Sequence, residues 1–96
     1  MGRDALQARW LDLTRRVLPG MAGNAGWPIH QDHCFMRVCL DHAVGAAWPA
    51  VLPRPAIRHM TDEQLQAAVG WAERIVAEPG LLPSLNRQSL HWRGKL

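Results

Sequence analysis

The tightest constraint on this chain is the segment that opens with Thr61-Asp62-Glu63-Gln64. A Thr three residues ahead of a Gln is a capping box. The Thr hydroxyl accepts from the backbone N–H of the third helical residue, and the Gln side chain reaches back to the Thr N–H. Two of the donors orphaned at a helix start are thereby satisfied. Asp62 and Glu63 place negative charge at the positive end of the helix dipole. Met60 stands where a hydrophobic staple onto Leu65 forms. From Leu65 onward, Ala68, Val69, Ala72, Ile75 and Val76 fall on one stripe of a 3.6-residue repeat, until Pro79-Gly80 stops it. A segment so marked is an amphipathic helix with one face to bury, and the rest of the chain has to cover that face.

What the rest offers is more helix. Leu6, Trp10, Leu13 and Val17 recur at steps of four, three and four, which predicts a first helix from Arg3 or Asp4, flanked by Arg9 and Arg16. Pro19-Gly20 interrupts it. A kinked continuation through Met21-Ala22 is compatible with proline, and Asn24, Gly26 and Pro28 mark the end. Trp27 falls in this connection and is expected at the core edge. A second helix is predicted from Gln31 or Asp32 to His42 or Ala43, with Asp32 as N-cap and Gly45 as terminator. Phe35, Val38, Cys39 and His42 share one of its faces, and Met36, Leu40 and Ala43 form another. A helix apolar over most of its circumference belongs at the centre. Residues 46–52 suit a short helical turn carrying Trp48. Pro53-Arg54-Pro55 suits an extended connector, because each proline biases its predecessor away from helix. A short helix at residues 81–87, with Leu82 and Leu85 inward, precedes a polar, basic tail anchored by Leu90 and Trp92.

No stretch alternates apolar and polar residues as a half-buried strand does, and β-branched residues are few. The expected fold is therefore all-α: one domain over residues 1–96, a compact bundle of about four helices with the second and third central, and a basic C-terminal tail at 87–96. A chain of 96 residues hides only about 60–65% of its unfolded surface on folding. Its five tryptophans are accordingly a large share of the available packing.

Charge and cysteine usage narrow the partners. The net charge is +3 with a sequence pI of 9.7. Eight arginines balance eight acids up to position 86, so Arg87, Arg93 and Lys95 supply the whole excess. Arginine outnumbers lysine ten to one, a bias produced by GC-rich coding as well as by carboxylate or phosphate recognition. Cys34 and Cys39, five positions apart on a helix, are separated by about 7.5 Å along its axis, too far for a disulfide. Reduced thiols, the absence of an apolar run of membrane length and a charged N-terminal stretch without a signal-like core imply a cytoplasmic protein that does not enter a membrane.

Several groups carry candidate chemistry. His30, Asp32, His33, Cys34, Arg37, Cys39, Asp41 and His42 form the densest cluster. As metal ligands, however, Cys34 and Cys39 diverge by about 140° around the helix. His30, His33 and Cys34 would need a fourth ligand from elsewhere, with His59 the available one. The expectation is no metal and no cofactor. His33, Arg37 and Asp41, at i, i+4 and i+8, make one polar ridge, either a solvated strip with an Arg–Asp pair or the wall of a small pocket. Cys34 has His30 one turn before it as a possible base but no third group to orient that base. Arg54, Arg58 and His59 precede the capping box, where cations beside a helix start suit an anion. Trp92 and Arg93, with Arg87 and Lys95, suit phosphate contact and base stacking or an acidic protein surface.

The segments Arg9-Trp10-Leu11, Gly26-Trp27-Pro28, Asp32-His33-Cys34-Phe35 and Leu85-Asn86-Arg87-Gln88-Ser89-Leu90 with Trp92-Arg93-Gly94-Lys95 resemble small bacterial proteins of unknown function. Some of those carry an N-acetyltransferase label of the GNAT type. The resemblance spans nearly the whole chain and implies a self-contained bacterial domain. GNAT enzymes are larger α/β domains built on a strand followed by a glycine-rich pyrophosphate loop, and this sequence has neither. The sequence reading therefore favours a small non-enzymatic module that binds another protein. The alternatives are a nucleic-acid accessory role through the basic tail, or a small enzyme or ligand binder using the His33, Arg37 and Asp41 ridge. It specifies no oligomeric state. Candidate contact residues are His33, Arg37, Asp41, Arg58, His59, Trp92 and Arg93.

Overall fold

The N-terminal apolar stripe forms helix α1 (Arg3–Asp12), which passes without a break through a π-helical segment (Leu13–Val17) into α2 (Leu18–Ala25). The Leu18 N–H bonds to the carbonyl of Leu13, five residues back. Pro19 explains the wide turn. A proline ring crowds the carbonyl four residues before it and brings no N–H to bond, and a π turn ahead of it relieves both conflicts. The wide turn also shifts the phase of the stripe by about one residue. Thr14 and Leu18 are fully buried while Val17, the position predicted to face inward, is half-buried. The Thr14 hydroxyl is satisfied by donating to the Trp10 carbonyl at 2.8 Å. Gly26 ends α2 with φ +67°, a left-handed conformation that suits glycine.

The computed structural model describes residues 2–96, and among them there are helices and turns and no strand. Trp27 seals the α2–α3 connection as expected. It is buried, meets Phe35 edge-on at 5.6 Å and donates its indole N–H to the Pro79 carbonyl at 2.9 Å. Helix α3 (Asp32–Val44) follows. The cap position is Gln31 rather than Asp32. Asp32 is the first helical residue, and its carboxylate accepts from the His33 N–H. Gly45, at φ +73°, terminates α3. A 3-10 turn (Trp48–Ala50) and the single-turn helix α4 (Ala56–His59) lead to α5 (Asp62–Ala77). The capping box of α5 is formed as predicted: Gln64 N–H donates to Thr61 Oγ1 at 3.1 Å and Thr61 N–H to Gln64 Oε1 at 2.9 Å. A 3-10 turn (Pro79–Leu81) runs into α6 (Leu82–Trp92).

The bundle thus has about five helices, α4 being the addition to the four predicted. α3 and α5 are its centre: they pack on each other, α1 covers α5, and α6 covers α3. One apolar cluster includes Leu6, Trp10, Leu13 and Leu18 from the N-terminal helix, Phe35, Cys39 and Leu40 from α3, and Leu65, Ala68, Ala72 and Ile75 from α5. The α5 stripe is buried as its spacing predicts, except that Val76 is half-buried. The Cα radius of gyration is 12.4 Å, which matches the value of about 12.5 Å for a compact chain of this length. Among the described residues no helix is long and apolar enough to cross a membrane.

The largest departure is at the C-terminus. α6 runs well past residue 87, so that much of the polar segment after it is helical. Leu82, Asn86 and Ser89 are its buried residues, at steps of four and three. The inward face of α6 is therefore polar over its second half, and an apolar stripe alone underestimates its length. What the face packs against is also polar, and lies on α3.

Candidate functional site

Asp41 is wholly buried on α3, and its carboxylate is the hub of a network. Arg93 grips it with two parallel bonds, from Nε to Oδ2 at 2.8 Å and from Nη2 to Oδ1 at 2.9 Å. Ser89 donates to Oδ2 at 2.6 Å, and the backbone N–H of Trp48 donates to Oδ1 at 2.9 Å. One carboxylate thus joins α3, α6 and the turn after α3. A buried carboxylate is costly unless paired and hydrogen-bonded, and here both oxygens are saturated by donors. The Asp41 partner raises the Arg93 guanidinium further above its ordinary range, against the opposing effect of partial burial.

Arg37, one turn before Asp41, joins the network through neutral groups. Its Nη1 donates to Ser89 Oγ at 2.7 Å and its Nη2 to Asn86 Oδ1 at 2.6 Å. Ser89 therefore accepts from Arg37 and donates to Asp41, which fixes its hydroxyl proton. Arg37 itself has no carboxylate within ion-pair distance among the described residues. It is a half-buried cation aimed by a serine and an asparagine, joined to the Asp41 carboxylate only through the Ser89 hydroxyl. No buried side-chain polar atom lacks a hydrogen-bond partner among the described residues.

In front of these arginines lies a cleft of about 690 Å³ between α1, α3 and the 48–57 segment. Its cations are Arg37, Arg93, Arg15 and Arg54, with the His33 ring also in the lining, and no acidic residue lines it. Interleaved with them are the apolar residues Trp10, Leu11, Met36, Leu40, Trp48 and Ile57. The guanidinium of Arg54 lies over the Trp48 ring, 5.1 Å from its centroid, an arrangement that steadies both side chains. The local reasons for this geometry are helical spacing. Trp10, Leu11 and Arg15 lie on one side of the N-terminal helix, and His33, Met36, Arg37 and Leu40 on one side of α3.

The residues singled out by sequence divide into three groups. His33, Arg37 and Arg93 line the cleft, and Asp41 lies behind it as the anchor of Arg93. The predicted ridge is therefore real but graded: His33 is exposed, Arg37 half-buried and Asp41 buried. The pair within the ridge is not the expected one, since Asp41 bonds Arg93 and Ser89 rather than Arg37. Trp92 belongs to a different surface. It meets His42 at 5.0 Å, and His42 meets Trp71 at 5.1 Å while its Nε2 lies 2.9 Å from the Leu85 carbonyl. Arg58 and His59 sit exposed in α4 and do not line the cleft, whereas Arg54 from the same connector does. Of the C-terminal cations, Arg93 is engaged by Asp41 while Arg87 and Lys95 are exposed.

Asn86, Ser89 and Arg15 were not singled out. The first two carried a signal, because Asn86, Ser89 and Arg93 recur at i, i+3 and i+7, a polar stripe at helical spacing. Arg15 had none, since it resembles any charged residue on an exposed helix side. Among the described residues no three His, Cys, Asp or Glu side chains gather as metal ligands. Both cysteines are free; Cys34 is half-buried, and burial pushes the Cys39 thiol up to about 12. Comparison of the chain with family models, with curated proteins and with solved structures finds no match.

Proposed function

We propose that the chain is a non-enzymatic binding module, and that the α1–α3 cleft is the surface by which it recognises an anionic group. The observation that carries this reading is the distribution of charge around the cleft: four arginines and no acid. Two of those arginines are held from behind by Asn86, Ser89 and Asp41. Guanidinium groups held in place lose little freedom on binding and present a planar fork that matches carboxylate and phosphate. The apolar part of the lining supplies the burial that orients what enters. The thiols of Cys34 and Cys39, unpaired with each other, fit a reducing compartment such as the cytoplasm.

The test is capture from a native-host extract on immobilised protein, with mass spectrometry of both the protein and the small-molecule fractions. Wild type is compared with a double variant, Arg15→Glu and Arg54→Glu. Both residues are exposed and neither belongs to the Asp41 network, so the reversals bury no charge, and circular dichroism of the double variant checks that its helices are retained. The expected result is material bound by wild type and lost by the double variant. Recovery indifferent to the two reversals, or no recovery at all, counts against the reading.

A further inference from the structure

The combination of cations and partly exposed apolar side chains in one cleft narrows the occupant. We propose that the cleft is a site for a small amphiphilic anion, a carboxylate or phosphate carried on an apolar body, with Arg37 as its anion anchor. The inference rests on the binding reading above and names the chemistry of the ligand.

Arg37 anchors because two guanidiniums share one carboxylate: Arg93 pairs with Asp41 directly, and Arg37 reaches it only through the Ser89 hydroxyl, so the cluster keeps a net positive charge. Arg93 spends two N–H groups on a full carboxylate, whereas Arg37 spends two on neutral oxygens and keeps its Nε–H and further Nη–H donors for another acceptor. A half-buried cation without a direct ion pair favours an anion more than an exposed one does, because solvent screens it less. An oxyanion suits the planar fork better than a monatomic ion. The apolar requirement comes from the rest of the lining. Leu11 is exposed and Met36, Trp48 and Ile57 are half-buried, so together they present open apolar surface to the cleft beside the cations. The cleft volume of about 690 Å³ falls within the range of roughly 300–1,000 Å³ for small-molecule sites.

The experiment measures binding of sodium decanoate, decyl phosphate, decanol, decyltrimethylammonium and inorganic phosphate to the full chain by calorimetry, below micellar concentrations. Decanoate and decyl phosphate are expected to bind at least about tenfold more tightly than decanol, and inorganic phosphate alone at least about tenfold more weakly than decyl phosphate. The ratio of decanoate to decyl phosphate affinity tells a carboxylate from a phosphate ligand. In Arg37→Met the preference for decanoate over decanol is expected to disappear while decanol binding persists. Nitrogen-resolved spectra of wild type give a readout that requires no variant: decanoate should shift the Arg37 Nε–H and the indole N–H signals of Trp10 and Trp48, and leave that of Trp92 in place. Equal affinity for decanol and decanoate, shifts confined to other surfaces, or phosphate binding as tight as decyl phosphate each overturn the inference. Should every amphiphile fail while capture still depends on Arg15 and Arg54, the ligand class is wrong and the binding module stands. Should capture fail as well, both fall.

Discussion

Helix α3 meets two of its neighbours, α5 and α6, through opposite physics. Toward α5 it contributes to a carbon-lined core in which Phe35 and Cys39 join Leu65, Ala68, Ala72 and Ile75. Toward α6 it offers Arg37 and Asp41 to Asn86, Ser89 and Arg93. The first interface is non-directional, and its stability scales with the apolar area it hides. The second depends on angles and on a complete set of partners, because a buried charge left without its counterpart costs far more than a lost methyl group. The contrast teaches where this small domain holds a fixed geometry. Apolar packing brings the helices together, and the polar interface sets the register of α6 on α3 and so the positions of Arg37 and Arg93, two of the four arginines that line the cleft.

The largest test of that contrast is Asp41→Asn. It replaces a carboxylate that serves two arginine bonds, a serine and a backbone N–H with an amide that places donors against donors. The expected loss is about 3–5 kcal/mol by urea denaturation. A loss below about 1 kcal/mol would put the interface in the same class as a surface ion pair. Its companion is the combined change Asp41→Leu, Ser89→Ala and Arg93→Met. Removing the carboxylate together with its two side-chain donors should recover part of that stability, the Trp48 N–H and one Arg37 donor being left without their partners, while weakening anion binding in the cleft. Stability and binding falling together in the combined variant would show that the network is chiefly a stabilising device.

The apolar interface is probed next, through alkaline pH. Burial raises the Cys39 thiol from its ordinary 9.0 to about 12. Below pH 9 the thiol is protonated in both folded and unfolded chains, and its contribution to stability is complete. Between about pH 9 and 12 the unfolded chain ionises first, so stability should fall by roughly 1.4 kcal/mol per pH unit. Chemical denaturation at stepped pH is the measurement, and Cys39→Ala should remove the alkaline slope. A wild-type slope no steeper than that of the variant would mean that water reaches the thiol in the folded protein.

Smaller effects belong to single elements. Thr61→Ala removes one half of the capping box and should cost about 1 kcal/mol, read by thermal melting. At the bottom of the scale is Arg16→Ala. Its bond to Asp12 at 2.7 Å lowers the Asp12 carboxyl and raises the Arg16 guanidinium, yet both groups are open to solvent. No change in melting is expected above the precision of the measurement, and a clear drop would place solvated pairs on a par with the buried network.

How far the chain could be read in advance depends on the range of the physics involved. Helix α5 was legible from end to end, because its cap, its dipole charges and its stripe act within a few residues of one another. The helical class followed from the same local periodicities. The phase of the N-terminal stripe was readable only to Leu13, since the π turn before Pro19 adds a residue that a constant 3.6 repeat does not foresee. The ridge on α3 was legible as a line of residues and not as a site. His33, Arg37 and Asp41 are neighbours on one helix, whereas the partners that divide them into an exposed, a half-buried and a buried group come from α6, some fifty residues away.

Local sequence therefore determined the helices, the main apolar stripes and the residues worth watching. Only the tertiary structure decided that Asp41 pairs with Arg93, that α6 extends through Trp92, and that Arg15, Arg37 and Arg54 share one cleft. The reason is that periodicity encodes which side of a helix is apolar, while the fate of a charge depends on the dielectric and the partners it meets. Those are properties of the packed chain and not of the segment that bears the charge.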